Sequence, residues 1–322
     1  MRRHALLALA AALTLVAGCG DAPDPPGLTA AASAPRLPGA EPITTAPTAE
    51  GTGTCDTEAT LAPAALPRPG AMPAGSAMAA IVANGRLRVG VDQNTYMFGF
   101  RNPATGRLEG FDIDLAREIA RDLFGDPDRI ELRSVTAAER IPLLREAKVD
   151  LIVRTFSATC ERRREVDFSS VYYRAAQRIA APREAGITDG ADLADKRVCV
   201  AKGTTAAAPL FDLPTPPREV LGVTTWTDCL VALQQGSVDA ISGDEPILRG
   251  LVAQDHHLEI VGDAIGAGGY AVGLPKGSDE LVRFVNGVLD RARVDGTWQR
   301  IYTQHLSALG ASPGPPPAKY VG

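Results

Sequence analysis

The same sequence pattern occurs twice in the chain. Residues 147–152 read AKVDLI and residues 236–241 read GSVDAI, and each stretch follows a predicted helix. Two strand-like segments, residues 88–91 and 197–200, also match each other, and a polar loop follows each of them. The two copies lie too far apart in the sequence, and are too few, for a solenoid of short repeats. The sequence therefore predicts two similar α/β units.

The N-terminus predicts export. Arg2 and Arg3 precede an apolar run over residues 5–17, which is too short for a membrane-spanning helix and ends in small residues before Cys19. We interpret residues 1–18 as a lipoprotein signal peptide and Cys19 as the lipidated residue. The protein is then extracytoplasmic and lipid-anchored to the cell membrane. The alternative is an ordinary signal peptide with a chance cysteine.

The segments at the two ends differ in composition from the rest of the chain. Residues 19–78 are rich in Pro, Ala, Thr and Gly and lack a sustained periodicity, so we predict a disordered tether there. Residues 309–322 form a Pro-rich tail.

The formal net charge of −5 argues against a nucleic-acid partner. We also expect the protein to be a monomer.

Four cysteines remain once Cys19 is assigned to the lipid. An even number in an oxidising compartment indicates disulfides, and three pairings are possible. We favour Cys199 with Cys229, because a strand and the start of the next helix could bring them within bridging distance. Cys55 is then left to join Cys160. A metal site is disfavoured because the chain has no CxxC pair and its histidines are scattered, and we expect no metal and no cofactor.

A polar stretch with an arginine follows the first copy of the repeat. It begins as a buried strand near Asp150 and then supplies four polar side chains: Thr155, Ser157, Thr159 and Arg162. An arginine presents a planar fork of donors that matches a carboxylate, and it stays charged when partly desolvated. The stretch therefore predicts a carboxylate-binding site. The alternative is that residues 161–165 are a solvated charge run.

Two further positions could supply donors to the same cleft. Arg140 lies near the predicted start of a helix, where it could point towards Arg162, and the alternative is an exposed helix charge. In the second α/β unit a strand is followed by residues 201–205, AKGTT. A glycine followed by Thr204 and Thr205 presents amides and hydroxyls to an anion, and the alternative is an ordinary turn.

Three aspartates lie at the ends of predicted elements. Asp244 follows the second copy of the repeat at the carboxyl end of a strand, where open α/β sheets bind ligands. It is a candidate partner for a cationic group of a ligand, and the alternative is a helix N-cap. Asp112 and Asp114 lie at the start of a predicted helix, where the helix dipole favours negative charge, and we interpret both as capping residues.

Three stretches together resemble one protein family. Residues 110–120 (GFDIDLAREIA), 159–173 (TCERRREVDFSSVYY) and 202–205 (KGTT) resemble bacterial extracellular solute-binding proteins of family 3, which bind polar amino acids. Among these, the chain is most similar to glutamine/glutamate-binding lipoproteins from actinobacteria. The resemblance covers roughly residues 80–308. It implies an α/β fold of the type II periplasmic-binding-protein class, with two lobes joined by a two-segment hinge.

The resemblance also implies domain boundaries. Lobe 1 comprises residues 79–178 and 272–308, and lobe 2 comprises residues 179–271. The chain then crosses between the lobes near Arg178 and near Ala271. A ligand that contacts both lobes favours the closed state, because only that state makes both sets of contacts.

The resemblance implies a binding site for the backbone carboxylate of an amino acid. Arg162 holds the α-carboxylate, and Ser157, Thr204 and Thr205 donate hydrogen bonds to it. Arg162, Thr204 and Thr205 lie in the stretches that carry the resemblance, residues 159–173 and 202–205.

The resemblance also implies partners for the rest of the ligand. The Thr155 carbonyl and Asp244 take the α-ammonium group. Asp92 matches a polar contact of the first lobe in glutamine-binding relatives. Arg140, in the setting RIPLL, matches an arginine that pairs with the side-chain carboxylate in aspartate and glutamate binders.

These observations predict a lipid-anchored substrate-binding protein rather than an enzyme. Its ligand is an acidic or amide amino acid (glutamate, aspartate, glutamine or asparagine), and its partner is the permease of an ABC importer. One alternative is an amino-acid sensor that passes its ligand-bound state to a membrane signalling protein. Another is an exported enzyme such as a dehydratase, which is disfavoured because no His or Cys accompanies the site residues as nucleophile or base.

Overall fold

The computed structural model describes residues 37–45 and 55–321. The predicted signal peptide and Cys19 lie outside the described residues. The strands are β1 (Glu41–Pro42), β2 (Ala59–Leu61), β3 (Leu87–Val91), β4 (Asn94–Thr95), β5 (Gly99–Arg101), β6 (Leu108–Glu109), β7 (Ile130–Ser134), β8 (Leu151–Ile152), β9 (Val166–Phe168), β10 (Tyr173–Pro182), β11 (Arg197–Ala201), β12 (Glu219–Val223), β13 (Ala240–Asp244), β14 (Leu258–Tyr270), β15 (Gly273–Pro275) and β16 (Lys319–Val321). The helices are α1 (Ala77–Ala83), α2 (Phe111–Phe124), α3 (Arg140–Arg145), α4 (Cys160–Glu165), α5 (Ala208–Phe211), α6 (Trp226–Gln234), α7 (Glu245–Gln254), α8 (Asp279–Val294) and α9 (Thr297–Leu306).

Two large sheets share one topology. The five-stranded sheet has the order β7-β3-β8-β15-β9, and the six-stranded sheet has the order β1-β12-β11-β13-β10-β14. In the first, β3 is parallel to β7 and β8, and in the second, β11 is parallel to β12 and β13. Helices α1, α2, α8 and α9 pack on the first sheet, and α6 and α7 pack on the second. The predicted α/β fold with two lobes is therefore confirmed.

The repeated Val-Asp pattern has the same structural role in both sheets. Asp150 accepts hydrogen bonds from the backbone N–H of Arg88 at 2.8 Å and from its Nε at 3.2 Å. Asp239 accepts the equivalent bonds from Arg197 at 2.8 and 3.1 Å. Asp150 directly precedes β8 and holds the start of β3, and Asp239 directly precedes β13 and holds the start of β11. The repeat thus fixes the amino ends of two neighbouring parallel strands in each sheet, and a ligand site is expected at the opposite, carboxyl ends.

Two connections join the sheets. The chain leaves β9 of the five-stranded sheet and continues as β10, which lies antiparallel between β13 and β14 of the other sheet. It returns from β14 as β15, which lies antiparallel between β8 and β9. Each sheet therefore contains one strand that arrives from the other. The exact lobe boundaries inferred from the sequence remain a prediction.

Two disulfides are present in the described residues. One joins Cys199 in β11 to Cys229 in α6, and the other joins Cys55 to Cys160 at the start of α4. This is the pairing that the sequence analysis favours. The second bond ties the segment before β2 to the helix that carries Arg162.

The structure differs from the predicted disordered tether over residues 37–45 and 55–78. β1 extends the six-stranded sheet by pairing with β12, and β2 pairs with β16 of the Pro-rich tail. Leu61, Leu66 and Met72 pack against the core of the five-stranded sheet. A few apolar anchors and the Cys55 disulfide order this segment, and a composition dominated by Pro and Ala conceals them. The rest of the predicted tether lies outside the described residues.

Within residues 37–45 and 55–321, no helix combines the length and the hydropathy that crossing a bilayer requires.

Candidate functional site

One pocket brings together most of the polar residues that the sequence analysis singled out. It lies between the end of β8, the end of β13, the loop after β11 and the first residues of α3 and α4, so both sheets contribute to its wall. Its lining residues are Arg140, Arg154, Thr155, Ser157, Arg162, Thr204, Thr205, Trp226, Asp244 and Ile247. Seven of the eight predicted ligand contacts therefore share one surface, and Asp92 is the exception.

Arg162 reaches the pocket from the first turn of α4. The Thr159 hydroxyl caps this helix by accepting a hydrogen bond from the backbone N–H of Arg162 at 3.2 Å. The Arg162 side chain is buried, so it is not part of a solvated charge run. Its Nη1 donates to the Ser157 carbonyl at 2.7 Å. Burial lowers the pKa of Arg162 to about 10, and the guanidinium is therefore charged at neutral pH.

Arg140 is the first residue of α3 and is also buried, which rules out an exposed helix charge. Its Nε donates to the Ala137 carbonyl at 2.8 Å, and its Nη1 donates to the Arg154 carbonyl at 3.4 Å. Burial, followed by the neighbouring charges of Arg162 and Arg154, lowers the pKa of Arg140. The local charge at this end of the pocket is strongly positive.

The two guanidinium groups of Arg140 and Arg162 share their partners. Nη2 of each donates to the Gly203 carbonyl, at 2.7 Å from Arg140 and 2.9 Å from Arg162. The central guanidinium carbons lie 4.1 and 5.0 Å from the ring centre of Phe156, within the range of cation–π attraction. Among the described residues, no carboxylate lies within ion-pair distance of either group. A carbonyl and a ring do not neutralise two buried positive charges, so the site favours an anion.

Gly203 allows the loop after β11 to reach the two arginines. Its φ of +73° is unfavourable for other residues, and a Cβ there would lie 2.7 Å from the Cα of Ala138. In the same loop, the Thr204 hydroxyl donates to the Ala201 carbonyl at 2.7 Å. The loop thus lies directly against the segment before α3 and contacts the arginines of α3 and α4.

Asp244 supplies a carboxylate at the end of β13. As the residue before α7 it occupies the N-cap position, but its side chain makes no capping hydrogen bond. Instead, its Oδ2 accepts a hydrogen bond from the Tyr270 hydroxyl at 2.7 Å. Burial raises the pKa of Asp244, and the Tyr270 bond opposes this shift. The carboxylate therefore faces the pocket rather than the helix.

The structure does not bring Asp92 to the pocket wall. Its Oδ2 lies 2.9 Å from Nη2 of Arg154, and its Oδ1 accepts hydrogen bonds from the backbone N–H groups of Gln93 and Asn94. Nε of Arg154 in turn donates to the Val135 carbonyl at 2.7 Å. Asp92 thus neutralises and orients Arg154, and the arginine lines the pocket.

Sequence reasoning missed three residues of the pocket: Arg154, Trp226 and Ile247. The sequence does contain a signal for Arg154, which comes two residues after the buried strand β8. Asp244 was identified by the same kind of position, at the carboxyl end of a strand. Trp226 and Ile247 are apolar wall residues, and their sequence neighbourhood resembles that of ordinary core positions.

The interpretation of Asp112 as a helix cap is wrong. The carboxyl group is fully buried, and its Oδ2 accepts a hydrogen bond from the backbone N–H of Thr155 at 2.8 Å. Its Oδ1 accepts one from the Tyr172 hydroxyl, also at 2.8 Å. Asp114 likewise does not cap α2, since its side chain contacts Arg117 and His305. The bonds to Thr155, Tyr172 and His305 are tertiary, and the bond to Arg117 lies within the helix. The position of a residue in a helix does not predict such partners.

The ionisation of Asp112 should make stability depend on pH. Burial raises the pKa of Asp112 to about 7, above its value in the unfolded chain, with Asp92 raising it further and Arg154, Tyr172 and the Thr155 N–H opposing. The folded state then binds more protons than the unfolded state from about pH 4 to about pH 7. The free energy of unfolding therefore decreases as pH rises through this window. Asp112→Asn removes this titration.

We expect the melting temperature of Asp112→Asn minus that of the wild type to increase as pH rises from 5 to 7. Above about pH 8 this difference should be constant. Glu139→Gln is the control, because hydrogen bonds from Thr136 lower the pKa of Glu139 and its contribution is already complete at pH 5. Thermal unfolding between pH 5 and 9 measures both. A difference for Asp112→Asn that does not change with pH would contradict the expectation.

A family model described as "Bacterial extracellular solute-binding proteins, family 3" matches residues 87–308, more than half of the chain. Two curated relatives are similar over most of their length. The ABC transporter glutamine-binding protein GlnH of Bacillus subtilis (strain 168) is 33% identical over 230 residues, covering 71% of this chain and 84% of that protein. The glutamate-binding protein GluB of Corynebacterium glutamicum is 30% identical over 244 residues, covering 72% and 82%.

A solved structure agrees with these relatives. The solute receptor for L-cysteine of Neisseria gonorrhoeae superposes with a TM-score of 0.69 at 33% identity, covering 73% of this chain and 97% of that chain. The similarity therefore extends over both sheets and the pocket between them.

Proposed function

Because the chain belongs to family 3 of the bacterial extracellular solute-binding proteins, we propose that it captures an acidic or amide amino acid for an ABC importer. Its relatives include both a glutamine-binding protein and a glutamate-binding protein. The observation that carries the proposal is the pair of buried guanidinium groups, Arg140 and Arg162, that share the Gly203 carbonyl. Family members bind solutes, and the proposal includes no catalytic step.

The proposed ligand pose uses opposite ends of the pocket. The α-carboxylate lies on Arg162, with donors from Ser157, Thr204 and Thr205. Because the Thr204 hydroxyl donates to the Ala201 carbonyl, Thr204 contributes its backbone N–H. The fork of the guanidinium matches a carboxylate in a bidentate geometry. Arg162 is buried and charged, so an anionic group there gains from the low local dielectric.

The α-ammonium group is proposed to lie between the Thr155 carbonyl and Asp244. In the described residues, Oδ2 of Asp244 is bonded to Tyr270, and Oδ1 has no hydrogen bond within the chain. A carboxylate oxygen with a free lone pair suits an ammonium group.

Charge balance favours an acidic side chain over an amide. The pocket wall carries three arginines, and Asp92 neutralises Arg154 while Asp244 supplies one further negative charge. The backbone of an amino acid is a zwitterion and changes nothing in this sum. Below about pH 7, where Asp112 is protonated, one positive charge remains, that of Arg140, and a side-chain carboxylate balances it. Within the proposed class, glutamate and aspartate therefore rank ahead of glutamine and asparagine.

We further propose that Cys19 carries a lipid anchor after removal of residues 1–18. These residues lie outside the described part of the chain. Support comes from the sequence pattern before Cys19 and from the two disulfides, which suit an oxidising, extracytoplasmic compartment.

The proposal is tested by thermal unfolding of the full chain with each of the twenty amino acids. A ligand at about 100 times its Kd adds about 2.7 kcal/mol, or about 4–5 °C in melting temperature for a chain of 322 residues. We expect the largest shifts with L-glutamate and L-aspartate, smaller ones with L-glutamine and L-asparagine, and none with L-arginine. Isothermal titration then gives Kd for the ligands that respond. No shift with any amino acid, or the largest shift with a cationic one, would overturn the proposal.

A further inference from the structure

We propose that Asp112 and Tyr270 are positioning residues for the ammonium end of the ligand, Asp112 through the Thr155 carbonyl and Tyr270 through the Asp244 carboxylate. The inference rests on the proposed function, because it assumes an amino-acid ligand in this pocket. Neither residue lines the pocket, and both are completely buried behind it.

Thr155 has a backbone conformation that needs support. Its φ is +38°, in the left-handed region, where a β-branched residue is strained by about 1–3 kcal/mol. The Asp112 carboxylate accepts the Thr155 N–H at 2.8 Å, across 43 positions of sequence. This bond fixes the Arg154–Thr155 peptide and thereby the disfavoured φ of Thr155, which sets the direction of the Thr155 carbonyl. Loss of the carboxylate allows Thr155 to relax, and its carbonyl then turns away from the ligand.

The second oxygen of Asp112 connects the same carboxylate to an aromatic cluster. Oδ1 accepts the Tyr172 hydroxyl at 2.8 Å, and the Tyr172 backbone N–H donates to the Tyr270 carbonyl at 2.8 Å. The rings of Tyr172 and Tyr270 lie 6.3 Å apart, and Tyr270 also packs edge-on against Phe98 at 5.8 Å. Asp112 and Tyr270 are therefore parts of one rigid unit behind the pocket.

Tyr270 determines which oxygen of Asp244 is available. Its hydroxyl donates to Oδ2 at 2.7 Å, which leaves Oδ1 for an ammonium group. The ring cannot easily rotate, because Tyr173 stacks on it at 5.7 Å. Without the hydroxyl, the Asp244 carboxylate loses its one hydrogen bond within the described chain and can adopt other rotamers.

The test compares two ligands that differ only in the ammonium group. L-Glutamate and glutarate share both carboxylates, but glutarate lacks the α-amino group. A positioning role for the ammonium acceptors predicts that Asp112→Ala and Tyr270→Phe each weaken L-glutamate binding about 10- to 100-fold and leave glutarate binding within about twofold of the wild type. Titration calorimetry, with competition for weak binding, measures both ligands.

Conservative variants provide a rescue. In Asp112→Asn the amide oxygen can accept the Thr155 N–H and the amide NH₂ can donate to the Tyr172 oxygen, so we expect L-glutamate affinity within about fivefold of the wild type. Asp114→Asn and Tyr173→Phe are matched controls, because Asp114 contacts Arg117 and His305 and the Tyr173 hydroxyl has no hydrogen bond among the described residues. Both controls should retain wild-type affinity.

The outcomes separate the two levels of the inference. Equal losses for L-glutamate and glutarate would mean that Asp112 and Tyr270 only support the fold, and unchanged L-glutamate affinity would also overturn the positioning role. If L-glutamine is the tighter ligand, the same comparison uses L-glutamine and glutaramate. A wild-type protein that binds none of these probes would overturn the proposed function itself. Tyr270→Phe preserves ring volume, so it tests the Asp244 half even if Asp112→Ala fails to fold.

Discussion

Arg162→Ala should lower the affinity for L-glutamate by at least about a hundredfold, which corresponds to about 3 kcal/mol. The guanidinium is buried, is charged at neutral pH and presents two donors to the ligand carboxylate in the proposed pose. Alanine removes the charge and leaves the ligand carboxylate desolvated without its bidentate partner. Isothermal titration with L-glutamate measures the loss.

A neighbouring residue provides the control for Arg162→Ala. Arg163 is on the same helix, α4, and carries the same charge, but its guanidinium donates to the Thr57 carbonyl and lies over Phe168. Arg163→Ala should therefore leave affinity within about threefold of the wild type. Arg162→Lys restores charge but not the planar fork, and we expect an intermediate affinity. Wild-type affinity in Arg162→Ala would refute the proposed pose.

Arg140→Gln should change selectivity rather than binding as a whole. In the proposed pose Arg140 pairs with the side-chain carboxylate of an acidic ligand, a partnership worth about 2–3 kcal/mol or more when buried. We expect L-glutamate affinity to fall about 30- to 100-fold and L-glutamine affinity to change less than about threefold. The ratio of the two dissociation constants is the quantity to measure.

Arg145→Gln is the matched control for this substitution. Arg145 ends the same helix, α3, and forms an exposed ion pair with Glu165 at 3.0 Å, so neither ligand should be affected. Equal losses for L-glutamate and L-glutamine in Arg140→Gln would place Arg140 away from the ligand side chain. A preference of the wild type for the amide would contradict the charge balance of the pocket.

Much of the architecture could be predicted from local patterns. The Val-Asp repeat predicted two α/β units, and the structure shows that Asp150 and Asp239 hold equivalent arginines at the starts of β3 and β11. Arg162 and Asp244 were predicted to lie in a ligand site because each follows a predicted strand, and the carboxyl ends of parallel strands share one edge of a sheet. These inferences depend on periodicity and on chain direction, which are properties of short segments.

The errors have a common physical origin. Asp112 was assigned to its own helix, whereas its carboxylate bonds Thr155 and Tyr172. Asp92 was interpreted only as a ligand contact, which stays a prediction, and its pairing with Arg154 was not foreseen. In each case the partner is far away in sequence. A side chain with several possible partners takes the one that burial and packing bring close, and short-range patterns do not contain that information.

By itself the sequence determined the two-unit architecture, the family and most members of the pocket, because strand ends and helix starts can be located by local chemistry. Only the tertiary structure decided how their charges are partnered. Asp92 neutralises Arg154, while the Gly203 carbonyl contacts both Arg140 and Arg162. The physical reason is that electrostatic energy depends on distance and desolvation, and both are set by which segments of the folded chain meet.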